Sequence, residues 1–188
     1  VIQLIRRRDI GRPSAAILVE DRAAIRDAVA HLARQGHARI AYIGADDALS
    51  SGRARLAAFR EGLALARLAE IPELIRTGAP SAAMGKDCAR DILDQGRATA
   101  MVCGGFEISN GALSALMDAG ADPSGAFGFV GYGDPSFYAW IGSGVTTIGV
   151  PVEGPARRAA ALLSDADLDA RGHVSSFDAA LIIRGAGR

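Results

Sequence analysis

Gly78 to Lys86 is dotted with glycine and ends on a Gly-Lys pair, which is how a phosphate-cradling loop begins. Pro80 and Asp87 stand where that motif needs its first Gly and its Ser or Thr, so the backbone amides and the magnesium ligand are both missing. Gly131-Tyr132-Gly133 lacks the third glycine and the strand-to-helix setting of a dinucleotide fingerprint, and no Gly-x-Ser-x-Gly elbow occurs. His31 and His37 lie six apart across a helix end, neither the spacing of four that aligns two imidazoles on one helical face nor an acid–base pair. Both read as structural, with His37 placed to meet the last helix carbonyls at the negative end of the dipole. His173 falls in a polar turn and carries no signal. Cys88 and Cys103 have no Cys-x-x-Cys spacing and no nearby His, so they read as small core residues. The expectation is a chain that is not an enzyme and holds no metal and no cofactor.

The elements that would position a site read more clearly. Ala16 to Gly44 is a strand, a helix and a strand. Asp21 stands at the N-cap, Ile25, Val29, Leu32 and Ala33 recur at helical spacing, and Gly36 is free to take the left-handed C-cap. Ile40 to Ile43 is an unbroken apolar run, as in a strand buried on both faces, followed by the polar loop Asp46 to Ser51. Helices are expected at Arg53 to Leu65, Ser81 to Gln95, Ile108 to Ala119 and Glu153 to Leu163. Strands are expected at Val1 to Ile5, Glu73 to Ile75, Ala100 to Cys103, Phe127 to Gly131, Val145 to Val150 and Phe177 to Ile183. Arg6 to Pro13 and Asp165 to Gly172 are expected to be loops. Strands alternating with helices of this length call for an α/β fold with a doubly wound parallel sheet and right-handed crossovers. Ligands of such sheets bind at the carboxyl ends of the strands.

Composition sets the outer bounds. Hydrophobic residues make up 49% and charged ones 22%, so the chain can fill a core, and no apolar run approaches the roughly 20 residues of a membrane span. A soluble protein is expected. The formal net charge is zero, which offers no global field for nucleic acid. Starting on Val1 without a Met or a secretory pattern, the sequence reads as an internal part of a longer cytoplasmic polypeptide.

Several ordered segments carry a resemblance. "AHLARQGHARIAYIG", "SGRARLAAFREGL", "TAMVCGGFEISNGALSALMDAG", "FGFVGYGD", "VTTIGVPVEGPARRAAALL" and the closing "LIIRGAGR" together resemble the effector-sensing domain of the LacI/GalR family of bacterial transcription regulators. The resemblance implies a periplasmic-binding-protein type I-like fold of two α/β lobes joined by three crossovers, with most of the first lobe missing here. It implies that residues 1–15 end the first lobe, 16–144 form the second, 145–174 return to the first and 175–188 make the final crossover. A strand and a helix of the first lobe would then expose apolar surface or be covered by a second chain.

The site follows from the same resemblance. Arg55 matches the family's cleft arginine, whose guanidinium can hold a hydroxyl pair or a carboxylate at about 1.5 to 3 kcal/mol per charged hydrogen bond. Where the family usually has Asp, Asn-Asp and Gly-Tyr/Phe-Asp-Asp, this chain has Arg6, Gly105-Phe106 and Gly131-Tyr132-Gly133-Asp134. The candidate ligand-binding residues are therefore Arg55, Asp134, Arg6, Phe106, Gly105 and Gly133. Losing carboxylates and gaining a guanidinium and a ring points to an anionic or apolar ligand over a neutral sugar.

The function implied is effector sensing and homodimerisation in a cytoplasmic DNA-binding regulator. The small-molecule effector, sugar-like or an anionic metabolite, would act on DNA only through an N-terminal helix-turn-helix outside this chain, with no membrane partner. The helices Ser81 to Gln95 and Ile108 to Ala119 and the Phe137 to Ile141 loop are candidate interface elements, with a lid as the loop's rival role. The alternative function is a periplasmic solute-binding protein of an ABC transporter.

Overall fold

The computed structural model describes residues 1–5, 11, 14–123, 125–164 and 173–185. Its centre is β3 (Ile40–Ala45), in which every residue is buried. β3 pairs in parallel with β4 (Ile75–Gly78) on one side and β5 (Ala100–Cys103) on the other. The sheet continues through β6 (Gly128–Tyr132) and β7 (Thr147–Gly149), and an antiparallel β9 (Ala180–Ile182) closes it in the order β4-β3-β5-β6-β7-β9. Helices α1 (Arg22–Arg34) and α2 (Ser50–Leu65) cover one face, burying Ile25, Val29, Leu32 and Phe59 against Tyr42, Val102 and Val130. Helices α3 (Ala82–Gln95) and α4 (Phe106–Asp118) cover the other, with Ile92, Ile108 and Leu116 on Met101, Cys103 and Phe129. The α/β class and the doubly wound parallel sheet are as the sequence implies.

A second, three-stranded parallel sheet has the order β1 (Ile2–Ile5), β2 (Ala15–Glu20), β8 (Val174–Asp178), and α5 (Glu153–Ser164) sets Leu162 on Ala15 and Ile17. Sheet membership corrects the segmentation read from sequence. Residues 15–20 lie in the smaller sheet beside β1, so the larger unit begins at Asp21 and not at residue 16. β7 belongs to the larger sheet, so the return to the smaller one comes after Gly149 and not at residue 145. The expected strand Phe177 to Ile183 is two strands, split at Ala179, whose N–H bonds the carbonyl of Glu20 at 2.9 Å. Apolar runs of four to six residues look alike whichever sheet receives them, so crossovers between sheets leave no mark on the pattern. Val1, Leu4, Ile5, Val152, Leu163 and Val174 are exposed on and around the smaller sheet, the apolar surface expected there.

Helix ends follow their local chemistry. Gly36 has φ +91° and closes α1 with paired bonds, Gly36 N–H to Ala33 C=O at 3.0 Å and His37 N–H to Leu32 C=O at 3.1 Å. Ser81 caps α3 by accepting from the Met84 N–H at 3.1 Å. Asp21 stands at the α1 N-cap but makes no capping bond. The expected interface helices α3 and α4 pack on each other, at Gly85 and Gly111, and the Phe137 to Ile141 loop is anchored inward. Tyr138 is fully buried there, its hydroxyl 2.7 Å from Ser109 Oγ, while Trp140 is 77% exposed.

His31 is buried at the end of α1, and His37 lies beside Gly128, where an added Cβ would meet its Nε2 at 2.8 Å. Burial holds both imidazoles below their ordinary 6.5, with Arg34 and then His37 adding to the effect on His31. Burial is thus the leading cause for both rings. For a histidine depressed on folding, the neutral form carries the stability. It is fully present above the unfolded value near 6.5 and is lost as pH falls through that value toward the folded one. Urea midpoints should therefore drop as pH falls below about 6.5, and the His31→Gln/His37→Gln variant should flatten that drop. An unchanged slope would locate the acid sensitivity elsewhere.

Candidate ligand cleft

Three loops at the carboxyl ends of β5, β6 and β7 meet α2 and the end of β1 around a cavity of about 530 Å³. Its size suits a small molecule. Arg55 enters from α2, Gly105 and Phe106 from the start of α4, Gly133 and Asp134 from the turn after β6. Five of the six residues proposed from the sequence thus line one cavity, and the sixth, Arg6, lies outside the described residues.

Phe106 is not core. It is 42% exposed, and its ring lies over Gly133, where an added Cβ would sit 2.6 Å from Phe106 Cδ2. Gly133 also has φ +83°, so both backbone conformation and space call for glycine there. The ring forms one apolar wall. Val150, Val152, Pro135 and Ile5 extend the apolar lining, and Ile5, a β-branched residue, is held at φ +66°.

The guanidinium of Arg55 is committed inside the protein. Its Nε donates to Asp21 Oδ2 at 2.6 Å, Nη1 donates to the Gly104 carbonyl at 3.0 Å, and its carbon lies 4.2 Å from the centre of the Tyr132 ring. The Tyr132 hydroxyl donates to the same Asp21 Oδ2 at 2.6 Å. Arg55, Asp21 and Tyr132 are only 8%, 7% and 5% exposed. Burial raises the Tyr132 phenol, partly offset by Arg55, so it remains a donor.

Asp134 also has a partner. Arg184, just past β9, grips it with Nη1 to Oδ1 at 2.6 Å and Nη2 to Oδ2 at 2.9 Å. Arg184 is itself fixed by Thr146, whose hydroxyl donates to its carbonyl at 2.8 Å and accepts from its N–H at 3.1 Å. Among the described residues, then, both arginines at the cleft, Arg55 and Arg184, are each paired with an internal carboxylate. Sequence reading missed Asp21, Tyr132 and Arg184. Asp21 had read as a helix cap and Tyr132 as part of a failed dinucleotide motif, and nothing local marks Arg184 as facing residue 134.

Among the described residues no cluster of His, Cys, Asp and Glu has the makeup of a metal site, and no helix is long and apolar enough to cross a membrane. A model of the periplasmic binding protein-like domain matches residues 29–185. The chain is 30% identical over 153 residues to the HTH-type transcriptional regulator GalR of Escherichia coli (strain K12), spanning 81% of this chain and 45% of that protein. It is 32% identical over 149 residues to an HTH-type transcriptional regulator of Streptomyces limosus, spanning 77% and 42%. The chain therefore spans less than half the length of these relatives. A probable LacI-family transcriptional regulator from Corynebacterium glutamicum superposes with a TM-score of 0.84 at 25% identity, over 98% of this chain and 67% of that one. A complex of the transcriptional regulator CelR with cellobiose superposes at 0.83 and 23% identity, over 99% and 58%, a likeness of fold. The parallel sheets, the three crossovers and these matches agree: the chain belongs to the periplasmic-binding-protein-like domain family, in the form found in LacI/GalR-type transcriptional regulators.

Proposed function

We propose that this chain is the effector-sensing and dimerising part of a cytoplasmic LacI/GalR-type DNA-binding regulator. A small molecule enters the cleft, favours one arrangement of the two sheets over another, and so alters the operator affinity of DNA-binding segments outside this chain. One observation carries the reading: residues from the ends of β1, β3, β5, β6 and β7 and from α2 converge on one cavity at the carboxyl rim, where open parallel sheets bind ligands. A ligand there reaches both units, since Ile5 comes from the smaller sheet and Arg55 from the larger.

The ligand we favour is uncharged and hydroxyl-bearing with one apolar face, hence sugar-like. Phe106 and the valines suit that face, while Arg55 and Asp134 sit in neutral pairs. The cellobiose found in CelR is a fitting probe. Titration calorimetry with a panel of neutral mono- and disaccharides including cellobiose, set against small organic acids, should give saturable binding among the sugars that Phe106→Ala abolishes. Binding confined to the acids, or to neither class, would sink the reading. The relatives named above are regulators, which disfavours the transporter component. An export signal on the parent polypeptide in place of a helix-turn-helix would restore it.

A further inference from the structure

Among the described residues, the charges around the cleft leave no unpaired cation. Asp134 and Arg184 cancel, Asp21 and Arg55 cancel, and the one further charged lining residue described is Glu107, in the first turn of α4. Asp21 stands apart by its place in the chain. It is the residue that follows β2, on the crossover from the smaller sheet to the larger, whereas Arg55, Gly104 and Tyr132 all belong to the larger unit. A guanidinium presents five N–H groups in a planar fork, the shape that captures carboxylate or phosphate. Here its Nε is taken by a carboxylate of the same chain, and that carboxylate is held a second time by the Tyr132 hydroxyl, so it is not free to swing away.

Resting on the reading of this cavity as the effector site, we propose that Asp21 is its specificity-determining residue. It is an internal counter-ion that occupies the place at Arg55 an anionic ligand would take, so that the cleft admits uncharged ligands and turns anions away. An incoming carboxylate or phosphate must either displace a buried, doubly held aspartate or lie beside it as a like charge. A hydroxyl needs no counter-charge and can use the remaining N–H edge of Arg55. Remove the Asp21 charge, and a buried guanidinium is left that an outside anion can neutralise.

The probes are inorganic phosphate and acetate, titrated by calorimetry into the parent protein and into Asp21→Asn, which keeps the shape of the side chain. Asp21→Asn should bind at least one of them tenfold or more tightly than the parent, about one decade in dissociation constant. The gain should vanish in Asp21→Asn/Arg55→Gln, and Tyr132→Phe, which leaves the ion pair in place, should not show it. Equal anion affinity in parent and Asp21→Asn overturns the proposal, as does a gain that survives loss of Arg55 or appears equally in Tyr132→Phe. Should Asp21→Asn fail to fold in low-phosphate buffer, refolding on adding phosphate supports the proposal and no recovery overturns it. None of these titrations needs an effector, so a cleft that binds no sugar would sink the effector reading while this result stayed readable.

Discussion

Replacing Arg55 by Ala should lower the stability of this protein by about 3 to 5 kcal/mol, the cost of leaving a buried carboxylate without its counter-charge. The partner left behind is Asp21, which among the described residues then keeps the Tyr132 hydroxyl at 2.6 Å. The stacking of the guanidinium on the Tyr132 ring and its bond to the Gly104 carbonyl go too. Asp21→Ala/Arg55→Ala, which removes both charges, should recover part of the loss, because much of the single-mutant cost is desolvation of the orphan. The exposed pair between Arg60 and Glu70 is the control, since solvent-screened pairs contribute under about 1 kcal/mol. Urea unfolding of the three variants makes the comparison. If Arg55→Ala were no worse than Arg60→Ala, the buried network would not be the fastening that its distances describe.

Gly111→Ala should destabilise by about 2 kcal/mol or more, although helix propensity alone argues the other way. An exposed helical Gly→Ala change gains roughly 1 kcal/mol. Here the added Cβ would lie 1.9 Å from the Ala82 carbonyl oxygen and 2.8 Å from the Lys86 nitrogen, both backbone atoms that no rotamer change can move. The contact is reciprocal, for a Cβ on Gly85 would meet the Ile108 carbonyl oxygen at 2.2 Å. Forcing α3 and α4 apart breaks close packing over Ile92, Ile108 and Leu116, and overpacking of this kind costs about 1 to 3 kcal/mol or more. The sign is the test. A thermal midpoint at or above the parent's would mean that the two helices do not cross this closely, and that their surfaces are free for another partner.

Both predictions come from residues whose local sequence suggests something milder. Asp21 ahead of an apolar helical stripe has the look of an N-cap, and Gly85 and Gly111 inside helical patterns look only like weak points. What changes their meaning is a neighbour distant in the chain: Arg55 is 34 residues from Asp21, and Tyr132 is 111. No periodicity reports such a pairing. The rim residues Arg55, Gly105, Phe106, Gly133 and Asp134 could be picked out only because the family likeness marks those positions. Their electrostatic state could not, since Arg184 reaches Asp134 from 50 residues away.

Local chemistry alone was enough to specify the alternation of strands and helices as far as α5, the buried runs Ile40 to Ile43 and Ala100 to Cys103, and the helix ends at Gly36 and Ser81. These depend on short-range forces: side-chain burial at helical or strand period, φ preferences and capping bonds. Which sheet took Ala15–Glu20 and Thr147–Gly149, and whether the cleft offered a bare cation or a neutral pair, were settled by the folded arrangement. The reason is range. A strand's own pattern demands burial without naming a partner, and the charge of a site is a sum over groups that only folding brings within a few ångströms of one another.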